Sequence, residues 1–303
     1  MDVLSDAILT MRVGKPHSSR THKNAPWGLR FSAFAGAGFH VVLQGSCWLF
    51  PSEGAPIAMN VGDVVFLPRA GVHGLADHPE TPLEDKRALS LVDIEAERTT
   101  PDGQGATTVL LCGAYLLDQA RMHPLLTELP EFVHLPARIG GNPSLRAAVD
   151  LLGAELSDPR PGADAIVPAL LDTLLLYILR SWLDEQAGHA HTGWAAALGD
   201  RATAAALRAM HHEPARRWTV AELATQAGLS RAAFARRFAA LVGEAPLAYL
   251  TWWRMTTAAR LLRESDAPLG SVAARVGYAS EFAFAKAFKR EFGVAPGRYR
   301  QPE

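Results

Sequence analysis

The sequence predicts an α+β chain: a β-barrel followed by a pair of helices, then an all-α domain with two helix-turn-helix motifs. Three observations carry the prediction. Residues 25–115 are cut into short apolar segments by Gly, Pro and Asn clusters, the mark of many short strands in a sandwich or barrel. From about residue 121 the apolar residues fall at helical spacing. Near the C-terminus one pattern occurs twice, Ala221–Leu250 being echoed in Gly270–Arg300.

A chain of 303 residues suggests about two domains. Its 49% apolar and 20% charged content is that of an ordinary folded soluble protein. The N-terminal MDVLSDAILTMRVGKP contains acids and lacks a continuous apolar core, unlike a signal peptide. The longest apolar run, Ala165–Leu179, is interrupted by Pro168 and Asp172 and falls short of the roughly 20 residues that cross a bilayer. Two cysteines, Cys47 and Cys112, exclude a disulfide framework. A cytoplasmic location is the expectation. The net charge of −1 hides an asymmetry. Residues 200–303 carry 16 Lys/Arg against 9 Asp/Glu, while residues 1–199 carry 14 against 22. A basic module that faces nucleic acid, joined to an acidic partner, fits that division.

Strands are expected at Leu29–Phe34, Phe39–Leu43, Ser46–Phe50, Val64–Leu67 and Thr108–Leu111. Residues 78–106 read as a long polar loop with a short helix or strand inside it. Ser144–Leu156 and Asp164–Asp184 carry apolar residues at helical spacing, with the turn sequence DPRPG (158–162) between them. EQAGHAHT (185–192) is a polar linker. Further helices are expected at about 200–212, 220–227, 231–242, 246–264, 269–276 and 280–292. The organisation expected is a barrel over 1–120 and a helical pair over 121–190, which either packs on the barrel or forms a dimer seam. A linker over 191–199 and the repeat domain over 200–303 complete it.

In the repeat, Gly228 matches Gly277 at an offset of 49, and Ser230, Phe234, Phe238, Gly243, Pro246 and Tyr249 match Ser280, Phe284, Phe288, Gly293, Pro296 and Tyr299 at an offset of 50. Each copy reads as a helix, a Gly turn, a Ser able to cap the next helix, and that helix. The Phe pairs at i, i+4 belong to the core. Arg231, Ala232, Ala235 and Arg236 are then left outward in one copy, and Glu281, Phe282, Ala285, Lys286, Lys289 and Arg290 in the other. A recognition helix puts its N-terminal residues at base edges in the major groove, where Arg and Lys reach guanine acceptors. Arg237, Arg254, Lys289, Arg290 and Arg298 read as phosphate contacts, which position without specifying. Two such helices would meet successive major grooves about 34 Å apart. The rival explanation of the repeat is a helical array for protein contacts.

On these residues the C-terminal hundred positions resemble the AraC/XylS-type DNA-binding domain, most densely in GYASEFAFAKAFKREFGVAPGRYR (277–300). The resemblance places base contacts on Ala232, Ala235 and Arg236 and on Glu281, Phe282 and Lys286. The two alanines offer only apolar contact, for instance to a thymine methyl. Residues 1–190 resemble the cupin-type sensor domains of one branch of these regulators, through APWGLRF (25–31), FHVVLQG (39–45), Gly62–Val72 with His73, and LLCGAY (110–115).

Cupin barrels commonly hold a metal through a His-x-His and Glu set plus a later His. Here Gly62, Pro68, Gly71 and His73 keep the shape of the second motif. The first retains only His40, with Val42 where a second His would stand. An oxygenase needs a fuller ligand set, so catalysis is not expected. His40, His73 and Cys112 fall on or beside expected strands, and imidazole plus thiolate suits Zn²⁺ or Cu⁺. Packing roles, redox sensing at Cys112 or Cys47, and a small organic effector lined by Trp27, Phe31, Phe39 and Trp48 are the other readings of the same residues.

The chain therefore reads as a one-component transcription regulator: a cupin-like domain that senses a small effector, metal or oxidant, and a paired helix-turn-helix domain that binds promoter DNA. RNA polymerase and a second copy of the chain are expected partners. The alternative is a cupin metalloenzyme, an oxygenase or isomerase, with a DNA-binding appendage.

Overall fold

A computed structural model describes residues 2–85, 104–117, 122–138, 141–186 and 192–300. The chain forms two compact units, one of Arg12–Gln119 with Leu129–Glu185, the other of Met1–Met11, Ala120–Glu128 and Gln186–Glu303.

The first unit contains β1 (His17–Asn24), β2 (Gly28–Phe31), β3 (Gly36–Gln44), β4 (Ser46–Phe50), β5 (Ile57–Asn60), β6 (Val64–Leu67), β7 (His73–Ala76), β8 (Glu84–Asp85), β9 (Thr107–Leu116) and β10 (Val133–Leu135). They make two five-stranded sheets, ordered β1-β9-β3-β6-β10 and β5-β4-β7-β2-β8. Among the described residues only the β2–β8 pairing is parallel. Alternation along each strand divides its residues between two faces. Val42, Val65, Leu67 and Leu110 enter a core with Cys47, Leu49, Met59 and Leu75 from the second sheet and with Trp27, just before β2. Phe39 and Tyr115 lie on the opposite face, with ring centroids 5.9 Å apart. There the Tyr115 hydroxyl donates to the Leu171 carbonyl at 2.6 Å. The part of the 78–106 loop that is described holds only β8; its residues 86–103 lie outside the described residues.

β1 was not expected. HSSRTHKN has no apolar alternation, and an eight-residue antiparallel register with β9 supplies its partners instead. The helical pair is α3 (Pro143–Ser157) and α4 (Ala163–Gln186). α4 is long and apolar enough to cross a membrane by length and composition. Its Leu171, Leu174, Leu175, Ile178 and Leu179 are buried in the protein, and its Asp172 pairs with Arg12.

The second unit contains α1 (Val3–Met11), α2 (Pro124–Glu128), α5 (Gly193–Gly199), α6 (Arg201–His212), α7 (Val220–Gln226), α8 (Arg231–Val242), α9 (Pro246–Glu264), α10 (Leu269–Arg275), α11 (Glu281–Phe292) and α12 (Pro296–Arg300). From α6 to α11 the helices fall within about one residue of the expected spans. The division between the units differs from the expected boundaries. α1 and α2 come from the stretches assigned to the barrel and the helical pair, and α5 from the linker, yet all three cluster with the repeat domain. Burial explains it, since His123 and Trp194 are fully buried there. The His123 N–H donates to Met11 Sδ at 2.7 Å, and the Trp194 N–H to Glu128 Oε2 at 2.7 Å.

Candidate functional site

In the first copy of the repeat, α7 opens with a capping box. Thr219 Oγ1 accepts the Glu222 N–H at 3.2 Å, while Glu222 accepts the Thr219 N–H at 2.8 Å. The T-x-x-E signature of this box, Thr219 to Glu222, is visible in the sequence itself. The Ser230 side chain accepts the Ala233 N–H at 3.3 Å, which caps α8, and Ser280 accepts the Ala283 N–H at 3.1 Å, which caps α11. Both serines are thus committed to their helices. Gly228 and Gly277 have φ of +67° and +83°, where a side chain is strained. Gly277 is further constrained, because a Cβ would lie 2.7 Å from the Ala215 carbonyl oxygen.

The phenylalanines behave as expected. Phe234, Phe238, Phe284 and Phe288 are buried. Phe284 and Phe288 join Met255, Leu262, Val272 and Val276 in one core with flanking Phe292 and Tyr299. That anchorage turns the opposite faces outward. Arg231, Ala232 and Arg236 of α8 are exposed, as are Glu281, Phe282, Lys286, Lys289 and Arg290 of α11, whereas Ala235 and Ala285 are half-buried. Phe282 is 81% exposed. A bare aromatic at the start of a basic helix has no folding rationale and suits an apolar contact in a groove.

Two residues read as phosphate contacts have other duties. Arg237 donates to both carboxylate oxygens of Asp200, the cap of α6, and lowers that carboxyl to about 2. Arg254 is half-buried and donates to the Pro214 and Arg216 carbonyls at 2.6 and 2.7 Å, bracing the loop before α7. Arg290 pairs with Glu291 at 3.1 Å and stays largely exposed.

The first unit brings together His40, His73 and Cys112. β3 and β9 pair antiparallel with His40 opposite Cys112, which puts the two side chains on one face. His73 arrives on β7 of the other sheet. His40 Nδ1 lies 3.0 Å from Cys112 Sγ, His40 Nε2 lies 2.8 Å from His73 Nε2, and His73 Nδ1 donates to the Gly71 carbonyl at 2.7 Å. Phe31 stacks on His73 with centroids 4.9 Å apart. Burial lowers the His73 pKa, with the Gly71 carbonyl and Glu131 opposing.

The three groups form a line rather than a ligand set. Cys112 and His73 address opposite nitrogens of one imidazole, so no single ion at the usual Zn–N distance of about 2.0–2.1 Å meets all three. Among the described residues no cluster of three His, Cys, Asp or Glu is arranged to hold a metal. The cupin family's metal thus finds no fitting donor set here. Trp27 and Cys47 lie in the adjoining apolar core, which Phe31 and Cys112 flank. Burial pushes the Cys47 thiol up to about 12. Phe39 is buried on the other face of its sheet.

Sequence reasoning missed a buried polar chain in the helical unit. Tyr249 Oη is 2.7 Å from His211 Nε2 and 3.4 Å from His123 Nε2, and His211 Nδ1 faces Asp6 Oδ2 at 3.4 Å. Its members are too far apart in sequence for any local pattern to join them.

A double β-sheet unit joined to a paired helix-turn-helix unit with basic, exposed recognition helices defines a class of DNA-reading regulator. The comparisons agree. A cupin family model matches residues 2–184 and a helix-turn-helix domain model matches residues 223–302. A putative AraC-like transcription regulator of Streptomyces lividans is 37% identical over 99% of this chain and 98% of its own. The HTH-type transcriptional regulator AlkR of Acinetobacter baylyi is 30% identical over 99% of both. Among solved structures, the DNA-binding domain of AdpA in complex with a target DNA is 38% identical, covering 33% of this chain and 90% of that one, at a TM-score of 0.32. The chain belongs to the AraC-type transcription regulators with an N-terminal cupin domain. It binds double-stranded DNA and is not an enzyme.

Proposed function

We propose that this regulator is a one-component cytoplasmic switch, in which the cupin unit takes up a small effector and the paired helix-turn-helix unit acts on promoter DNA with RNA polymerase. A signal acts only if it binds one arrangement of the protein better than another. The observation that supports an effector site is the Cys112–His40–His73 line beside an apolar core. The reading requires no bound metal. α3 and α4 leave Leu151 and Ile166 exposed, which favours a homodimer through the helical pair.

Base reading falls to Arg236, Ala232 and Ala235 of α8 and to Phe282, Lys286 and Glu281 of α11, with Arg231, Lys289 and Arg290 on phosphates. Genome-wide footprinting of the full chain, with and without candidate effectors, tests the switch. Sites whose occupancy or transcript output follows one effector support it. Identical footprints and output under every effector, metal and oxidant tried would remove the sensing half.

A further inference from the structure

The hydrogen positions in the barrel line follow from its end. The Gly71 carbonyl can only accept, so His73 Nδ1 carries a proton and its Nε2, in the neutral ring, is an acceptor. His40 Nε2 must then donate to His73, which leaves His40 Nδ1 as the acceptor facing Cys112 Sγ–H at 3.0 Å. A thiol beside an imidazole that a second group orients is the arrangement of an activated nucleophile. Cys112 is only partly buried, as are Leu29, Phe31, Ile57 and Phe132, which pack against the same apolar cluster.

A second observation lies in the same cluster. Trp27, 8% exposed and in the same cluster, has a buried indole Nε1–H without a hydrogen-bond partner. Trp194 and Trp253 also bury an unpartnered indole N–H, but only that of Trp27 lies in the cluster that Cys112 flanks, where a carbonyl oxygen brought by a ligand could accept it. Cys47 shares the cluster, but burial holds it as a thiol with a value of about 12, so it is a poor partner for a disulfide with Cys112. An apolar wall, an unused donor and one activated thiol favour an apolar carbon electrophile over a disulfide-forming oxidant.

We propose that the cupin unit is a covalent receptor for apolar α,β-unsaturated carbonyl compounds, with Cys112 as nucleophile, His40 as its base and Trp27 Nε1–H as donor to the carbonyl oxygen. The Cys112 proton passes to His40 Nδ1. The thiolate sulfur bonds the β-carbon, and the C=C π pair moves to the α-carbon as an enolate. The enolate then takes the proton back at the α-carbon. Nothing is oxidised or reduced, and no co-reactant is consumed. The inference rests on the effector-sensing reading and names the effector's class.

The test treats the full-length protein with trans-2-nonenal at pH 7 and follows each cysteine by mass spectrometry. The expected result is one adduct, on Cys112, formed at least about tenfold faster than with free glutathione, while Cys47 stays unmodified. His40→Gln slows the addition by roughly 10²-fold or more. Trp27→Phe slows nonenal but not methyl methanethiosulfonate, which has no carbonyl to bind. Cys112 reacting no faster than glutathione overturns the proposal and needs no variant. So does faster reaction with hydrogen peroxide than with nonenal, which would reassign the site to oxidants. Protection by one equivalent of Zn²⁺ would reassign it to metal. DNA binding by the same untreated protein, measured in parallel, separates outcomes. A protein that binds its operator but forms no adduct refutes only this inference. One that forms the adduct with no change at any promoter refutes the switch.

Discussion

Arg237 Nε lies 3.1 and 3.0 Å from the two carboxylate oxygens of Asp200, so this arginine of the first recognition helix is tied to the cap of α6. Arg236, its neighbour in sequence, is exposed on the outward face. Two adjacent arginines thus stand in different surroundings, one on a carboxylate and one in solvent. Arg236→Ala is expected to weaken operator binding by about 1–3 kcal/mol with an unchanged melting temperature. Arg237→Ala is expected to lower the melting temperature first. Asp200 is held down to about 2, chiefly by Arg237. A carboxyl lowered in the folded state stabilises above its unfolded value and stops doing so as it protonates. The melting gap between wild type and Arg237→Ala should therefore be full above about pH 4 and close as pH falls toward 2. Melting curves and gel shifts on both variants check the pair.

Arg254 makes a similar case within α9. Its guanidinium reaches two loop carbonyls that would otherwise lose their donor. Arg254→Ala is expected to destabilise by about 1–3 kcal/mol in urea unfolding, as for other buried groups left unpaired. Arg254→Lys recovers only part of it, since one ammonium does not reproduce the planar fork. A variant of wild-type stability with a changed salt slope would return Arg254 to the phosphate contacts.

Acid should loosen the protein through its buried histidines. Burial lowers His73, His211 and, most strongly, His123, which His211 lowers further. The unfolded chain then binds protons that the folded one refuses, starting near the ordinary value of about 6.5. Stability is constant above that value and falls as pH drops below it. Urea midpoints at pH 7.5 and 5.5 check the direction: the lower pH should give the lower midpoint.

The two turn glycines separate strain from crowding. Gly228→Ala meets open space and suffers only the positive φ, a cost of about 1 kcal/mol. Gly277→Ala suffers the same strain and also pushes a Cβ into the Ala215 carbonyl. Gly277→Ala should therefore melt clearly below Gly228→Ala.

Much of this is legible in the sequence. The Gly, Ser and Phe spacing of the repeat set the helices from α6 to α11, because turn, cap and core each need a particular residue type. The convergence of His40, His73 and Cys112 could be suspected from strand positions, but its linear geometry could not, since that depends on which ring nitrogen faces which neighbour. β1 hid because its polar residues are ordered by pairing with β9. The placement of α1, α2 and α5 hid because Met11, His123, Glu128 and Trp194 meet only through tertiary packing. The intramolecular partners of Arg237 and Arg254 hid for the same reason: a basic residue near a recognition helix looks alike in sequence whether it faces solvent, a carboxylate or a carbonyl.

The central claim is that α8 and α11 read DNA together. Footprinting of the full chain on its operator, for wild type, Arg236→Ala and Phe282→Ala with Lys286→Ala, tests it most directly. The expected result is two protected patches about 10–10.5 base pairs apart, each lost with the variant of its own helix, and affinity that falls steeply with salt. A single patch indifferent to one of the helices, or binding that ignores salt, would contradict the account.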